Sequence, residues 1–183
     1  MDLENVDLTN NSLKNEIEEM VDICNRLEEI EDDEIYTAYR EPATEEMLTE
    51  WEKENDIVLP EEYKDFLRFT DGARIAAYTA LFVSVEGIRA NSKLLPPEYV
   101  LVGDYGGYGA LMCFSKTTGE FITYEQGKTE HYGSFKNLIV DIIDSLKGQL
   151  PSDDSGYTME ELDKMFQKIL EERRKNGKNI LKH

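Results

Sequence analysis

The sequence predicts an α+β fold, in which N-terminal helices lead into an antiparallel sheet covered by a helix, plus a C-terminal helical extension. Apolar residues recur at helical spacing over three segments between Ser12 and Gly72. Short β-rich segments then follow one another from Leu81 to Tyr124 with no long helix between them, which favours antiparallel pairing. Helical spacing returns after Ser134.

Residues 1–11 read as a lead-in. From Ser12 onward, Leu13, Ile17, Met20, Val21, Cys24 and Leu27 fall on one stripe and predict an amphipathic helix to about Glu31. Cys24 lies on that stripe as a small core residue rather than a reactive thiol. Pro42 interrupts. Thr44 then caps a second helix whose first turn carries Glu45 and Glu46, favourable at the positive end of the helix dipole. Met47, Leu48 and Trp51 form its inward stripe, with Trp51 as a core anchor. Leu59-Pro60-Glu61-Glu62-Tyr63 opens a third helix, because a proline in the first turn sacrifices no hydrogen bond. Tyr63, Phe66, Leu67 and Thr70 share its apolar face, and Asp71-Gly72 stops it.

The expected strands are Leu81-Phe82-Val83-Ser84-Val85, Tyr99-Val100-Leu101-Val102, Ala110-Leu111-Met112-Cys113-Phe114 and Phe121-Ile122-Thr123-Tyr124. A hairpin connection, Ser115 to Gly119, joins the last two. Ser134 caps a fourth helix whose Phe135, Leu138, Ile139, Ile142, Ile143 and Leu146 should cover the sheet; Gly148 ends it. Lys147 to Gly156 reads as a linker. Thr158-Met159-Glu160-Glu161 is a capping box, stapled by Tyr157 and Leu162, for a helix whose inward stripe is Leu162, Met165, Phe166, Ile169 and Leu170. The expected organisation is therefore an acidic helical segment at 1–39 packed on the domain, an α+β domain at 40–148, and a linker with an amphipathic helix at 149–183.

Charge narrows the function. The chain of 183 residues carries 39 Asp and Glu against 20 Lys and Arg, a net charge of −19. Residues 1–65 hold 23 acids and 5 bases, so nearly all of the surplus sits in the first third. Such a balance argues against nucleic acid as a partner, since neutralising phosphates supplies most of that affinity. It argues equally against an anionic membrane surface, and no apolar run is long enough to span a bilayer. The acidic N-terminus lacks the blocks of a signal peptide, and two cysteines 89 positions apart build no disulfide framework. The expectation is a soluble, cytoplasmic protein whose oligomeric state the sequence leaves open.

No catalytic constellation emerges. Of two histidines, only His131 is not terminal, and a dyad with Cys113 conflicts with the apolar strand around that thiol. No Cys/His spacing suits a metal, and no cofactor is expected. The glycines of Gly103-Asp104-Tyr105-Gly106-Gly107-Tyr108-Gly109 match neither a P-loop nor a dinucleotide fingerprint, and they read as a wide turn or bulge between strands. Two segments remain as candidate partner-binding sites. Glu31, Asp32, Asp33 and Glu34 end the densest acidic run, which reads either as a solvated helix end or as a docking surface for a basic partner. Asp104, Tyr105 and Tyr108 suit a protein-binding loop.

The order of motifs resembles the SUKH superfamily, which contains the fungal cell-wall assembly regulator and many bacterial immunity proteins. The marks are Leu59, Pro60, Tyr63, Phe66 and Leu67 opening a helix, Asp71-Gly72 at its end, the Gly103–Gly109 turn before a strand, and Phe135 starting the next helix. The resemblance covers about residues 40–148. It implies an α+β fold with no shared catalytic residues. It further implies a non-enzymatic protein that binds and neutralises a polymorphic toxin, often a nuclease or deaminase. The alternative is a regulatory scaffold similar to the fungal regulator, with a small-ligand binder or enzyme as the weaker reading. An acidic inhibitor would suit a toxin with a basic nucleic-acid groove.

Overall fold

The structure, a computed structural model, describes residues 8–30, 36–77, 79–107 and 109–151. The chain divides into two units, Met1–Leu150 and Pro151–His183, and every described helix and strand belongs to the first. The capping box at Thr158 and the amphipathic stripe after it lie outside the described residues.

Helix α1 (Lys14–Ile30) buries Ile17, Met20, Val21, Ile23, Cys24 and Leu27, the expected stripe with Ile23 added. Helix α2 (Glu45–Asn55) starts where Thr44 Oγ1 accepts from the Met47 amide at 3.2 Å, and it buries Leu48 and Trp51. Helix α3 (Glu61–Phe69) begins one residue after Pro60, whose carbonyl accepts from the Tyr63 and Lys64 amides. Helix α4 (Phe135–Lys147) is capped twice at its N-terminus: Ser134 Oγ accepts from the Asn137 amide, and Glu62 Oε2 on α3 accepts from the Lys136 amide at 2.8 Å. A carboxylate there opposes the positive end of the α4 dipole and fixes α3 against α4.

Among the described residues the strands form one antiparallel sheet in chain order: β1 (Ala38–Tyr39), β2 (Ala73–Ile75), β3 (Ala80–Phe82), β4 (Tyr99–Tyr105), β5 (Ala110–Ser115), β6 (Phe121–Glu125) and β7 (Lys128–Gly133). Most of this meander needs only short turns, and no α-helix interrupts β2 to β7; the exception is the β3–β4 connection over residues 83–98, which carries a short 3-10 turn at Val85–Gly87. Tyr63, Phe66 and Phe135 meet Phe82, Phe114 and Phe121 from the sheet, and the Phe66–Phe82 and Phe121–Phe135 ring centroids stand 4.6 and 4.9 Å apart. These aromatic side chains are all buried. Helix α1 packs against α4, where Lys136–Glu16 (2.7 Å) and Lys147–Glu19 (2.8 Å) bridge the two helices. The opposite sheet face carries a smaller cluster, Leu95, Cys113 and Ile122, edged by Tyr99, Leu101, Leu111 and Tyr124.

Three strands, β1, β2 and β7, are not expected from the sequence. β7 is polar, Lys128 to Gly133, and lacks apolar alternation because it is the outermost strand, with most of its side chains in solvent. Of the segment Val83-Ser84-Val85, expected to extend β3, Val83 still donates its amide to Val102 O on β4 at 3.0 Å, and the chain leaves the sheet after it. Asp71 Oδ1 takes the Val85 amide at 2.6 Å, and Val85–Gly87 form a short 3-10 turn instead.

The lead-in is tied to α3 through Asp65. Its Oδ2 accepts from the Ser12 amide at 3.0 Å and the Ser12 hydroxyl at 2.5 Å, while its Oδ1 accepts from Arg68 at 2.8 Å. Burial pushes the Asp65 carboxyl up, but the Ser12 hydroxyl and amide with Arg68 outweigh it and hold the group below its ordinary value. A depressed folded value stabilises above the unfolded value, about 3.9, and that contribution fades as pH falls through the folded one. Asp65→Asn is therefore expected to destabilise the protein at pH 7 and to differ less from wild type at pH 3. Denaturant titrations at the two pH values check this, and an equal difference at both would refute the assignment.

Candidate functional site

Asp104 and Tyr105 are neighbours at the end of β4, so pleating sends their side chains to opposite faces of the sheet. Asp104 is opposed by Leu81 on β3 and Leu111 on β5, with Tyr124 next in the same cross-strand row. That row faces away from the helices. Leu81 is exposed, whereas Asp104, Leu111 and Tyr124 are half-buried. Burial raises the Asp104 carboxyl, against the lowering effect of its bond from the Gly107 amide. Tyr105 faces inward instead, and its hydroxyl donates to Asp141 Oδ2 on α4 at 2.6 Å. The loop is thus two half-sites on two faces. Tyr108 and the run Glu31, Asp32, Asp33 and Glu34 lie outside the described residues. Neither Asp141 nor the Leu81–Leu111–Tyr124 row is legible as a site in the sequence, because nothing local links residues so far apart.

The glycines serve the hairpin. Gly106 and Gly107 adopt positive φ values of 73° and 63°, and the Gly106 amide donates to Thr79 O at 2.9 Å, joining this turn to the β2–β3 turn.

Cys113 and His131 do not meet. Each is opposed by Ile122, on either side of β6, which sets them two strands and about 9–10 Å apart. Burial pushes the Cys113 thiol up to about 12, the reverse of what a nucleophile needs. The His131 Nδ1 pairs with Glu120 Oε1 at 2.9 Å, and its Nε2 lies 3.2 Å from Thr129 Oγ1. Replacing Cys113 by Ser and His131 by Ala is expected to leave partner binding unchanged in the folded double variant. A binding assay on that variant, with its fold verified by circular dichroism, is the check; loss of binding or of any activity would revive a role for the pair.

Among the described residues no group of three or more His, Cys, Asp or Glu side chains could hold a metal ion. A polar cleft of about 370 Å³ is lined by Asn10, Asn11, Glu45, Asp65 and Arg68. Its guanidinium is already engaged by Glu45 at 2.6 Å and Asp65 at 2.8 Å, so the cleft is a closed ion network rather than a receptor. No helix of the described residues is long and apolar enough to cross a membrane.

The surface charge separates by layer. Described residues 8–30 and 36–72, which contain α1, α2 and α3, hold 17 carboxylates against 6 basic side chains, net −11. Residues 73–133, which contain β2 to β7, hold 6 against 5, net −1. On α2, Glu46, Glu50 and Glu54 stand four residues apart on one exposed stripe.

The SMI1/KNR4 family (SUKH-1) matches residues 42–146, from just before α2 to the last turn of α4. The chain belongs to this family. Among curated proteins no match is found. Within the SUKH-1 region, the Leu59-Pro60 opening places Tyr63, Phe66 and Leu67 in the core; α3 ends earlier than the expected Asp71-Gly72 stop, at an extended Thr70 cap, and Gly72 turns the chain two residues later at φ 89°. Helix α1 lies outside the matched residues yet contributes to the same core. The residues that carry the resemblance are thus core and turn positions.

Proposed function

We propose that the protein is a non-enzymatic binding module. Its partner is a polymorphic bacterial toxin domain of nuclease or deaminase type, which it neutralises as an immunity protein. The segregation of charge supports this reading: an acidic helical layer backed by a near-neutral sheet gives the molecule one strongly negative side. Membership of the SUKH-1 family supports a protein as the partner. A basic nucleic-acid groove would be drawn to that side and blocked by the same contact, since one-signed surfaces accelerate encounter.

The test is binding kinetics against any toxin domain found encoded beside this gene. Association is expected to be fast at low salt and slower at high salt, as screening contracts the field to about 8 Å at physiological ionic strength. Two amide variants, one replacing Glu31, Asp32, Asp33 and Glu34 and the other Glu46, Glu50 and Glu54, should lower the on-rate and flatten the salt dependence with little effect on stability. Equal on-rates and salt slopes in both would overturn the acidic layer as the docking side. Absence of binding would remove the immunity reading in favour of a regulatory scaffold.

A further inference from the structure

The sheet face turned away from the helices has a composition that the charge argument does not use. On β2 and β3, Ala73, Ile75, Ala80 and Phe82 enter the main core, so Arg74 and Leu81 between them stand on the outer face. One cross-strand row there reads Ala38, Arg74, Leu81, Asp104, Leu111 and Tyr124, from β1 to β6. Leu111 and Tyr124 join this row to the small apolar cluster of Leu95, Cys113 and Ile122. Leu81 is 42 % exposed. A lone exposed leucine is ordinary, but an apolar patch that runs across neighbouring strands marks a contact surface.

The charges on either side of Leu81 are opposite in sign. Arg74 stands one strand away on β2 and Asp104 one strand away on β4, each about 4.8 Å from Leu81 along the row. The Arg74 guanidinium lies over the Tyr36 ring, 5.2 Å from its centroid, which holds it on this side of the sheet. Such a row is complementary to itself. A two-fold axis that runs along the strands over Leu81 lays the row on its copy in reverse order. Leu81 then meets Leu81, Ala38 meets Leu111, and Arg74 and Asp104 each meet the opposite charge of the other copy. An axis across the strands would oppose Arg74 to Arg74 and Asp104 to Asp104, so the row admits one orientation.

The charge of the whole chain, −19, favours the same side. Two acidic helical layers repel each other, whereas the near-neutral sheets do not. Sheets packed face to face about 10 Å apart leave the helical layers on opposite outer sides, beyond the screening length of about 8 Å.

We propose that the outer sheet face is the interface with a second copy of this chain, related by a two-fold axis that runs along the strands over Leu81. This goes beyond toxin binding, and it leaves the acidic layer of each copy free.

The test is sedimentation velocity of the full chain over a wide range of concentrations, where a monomer–dimer equilibrium is expected. Leu81→Asp sets two carboxylates against each other at the axis and should weaken the dimer about a hundredfold or more. Its fold should persist, because the side chain is exposed. Arg74→Glu and Asp104→Lys each create two like-charge contacts and should weaken the dimer about tenfold or more. The double variant restores opposite charges and should recover most of that loss, which a merely structural role would not produce. Circular dichroism verifies each fold. A wild type that stays monomeric at millimolar concentration, a dimer indifferent to Leu81→Asp, or a double variant no better than the singles would each overturn the interface. A monomer whose toxin binding falls with Leu81→Asp would also overturn it and give the face to the toxin. A dimer with the expected variant behaviour that binds no toxin would support the interface while removing the immunity reading.

Discussion

Phe66→Ala is expected to cost about 3–5 kcal/mol, the range for deleting a fully buried aromatic ring. Phe66 is 0 % exposed, and its ring lies 4.6 Å from Phe82, 5.3 Å from Phe135 and 6.1 Å from Phe69, centroid to centroid. It therefore joins α3, β3 and α4 at one point, and no single neighbour can collapse into the space it leaves. A natural domain has only about 5–15 kcal/mol in total, so the variant should be close to unfolding at moderate temperature. Phe66→Leu, which refills most of the volume, is expected to lose much less. Urea titration measures both. A loss below about 1 kcal/mol for Phe66→Ala would mean that the ring does not occupy this junction.

Gly103→Ala is expected to be nearly as damaging, for a different reason. Gly103 pairs with Phe82 on β3 and Met112 on β5, beside an irregularity in the β4–β5 register after Leu101. A Cβ there would stand 2.2 Å from Leu81 O and 2.5 Å from Met112 Cε. The methionine end can swing away, but the Leu81 carbonyl belongs to β3 and cannot move without parting the strands. Overpacking of this kind costs about 1–3 kcal/mol, and a backbone obstacle places the variant at or above the upper end. Gly109→Ala is the comparison: nothing lies within 4 Å of its Cβ position, and only its φ of 92° resists a side chain. That penalty is about 1–2 kcal/mol. Thermal unfolding of the two variants should rank Gly103→Ala as the less stable, and the reverse order would contradict the close approach of β3 to β4.

The sequence by itself determined the helical framework and the central strands. Thr44, Pro60 and Ser134 mark helix starts through contacts within one turn, and the stripes Ile17 to Leu27, Tyr63 to Leu67 and Phe135 to Leu146 follow the helical period, so local chemistry sufficed, although Thr70, expected on the α3 stripe, caps α3 in extended conformation. The apolar stretches in β4, β5 and β6 were legible for the same reason. Only the tertiary structure decided the edges and the surfaces. β7 pairs because β6 offers it a free row of backbone groups, although its own residues carry no strand pattern. β3 stops because Asp71, fourteen positions earlier, captures the Val85 amide. Asp104 and Tyr105, adjacent in sequence, part to opposite faces, and Tyr105 finds its partner thirty-six positions later on α4. Propensity and capping act over a few residues, whereas a binding surface is set by which distant backbones the packing brings into register.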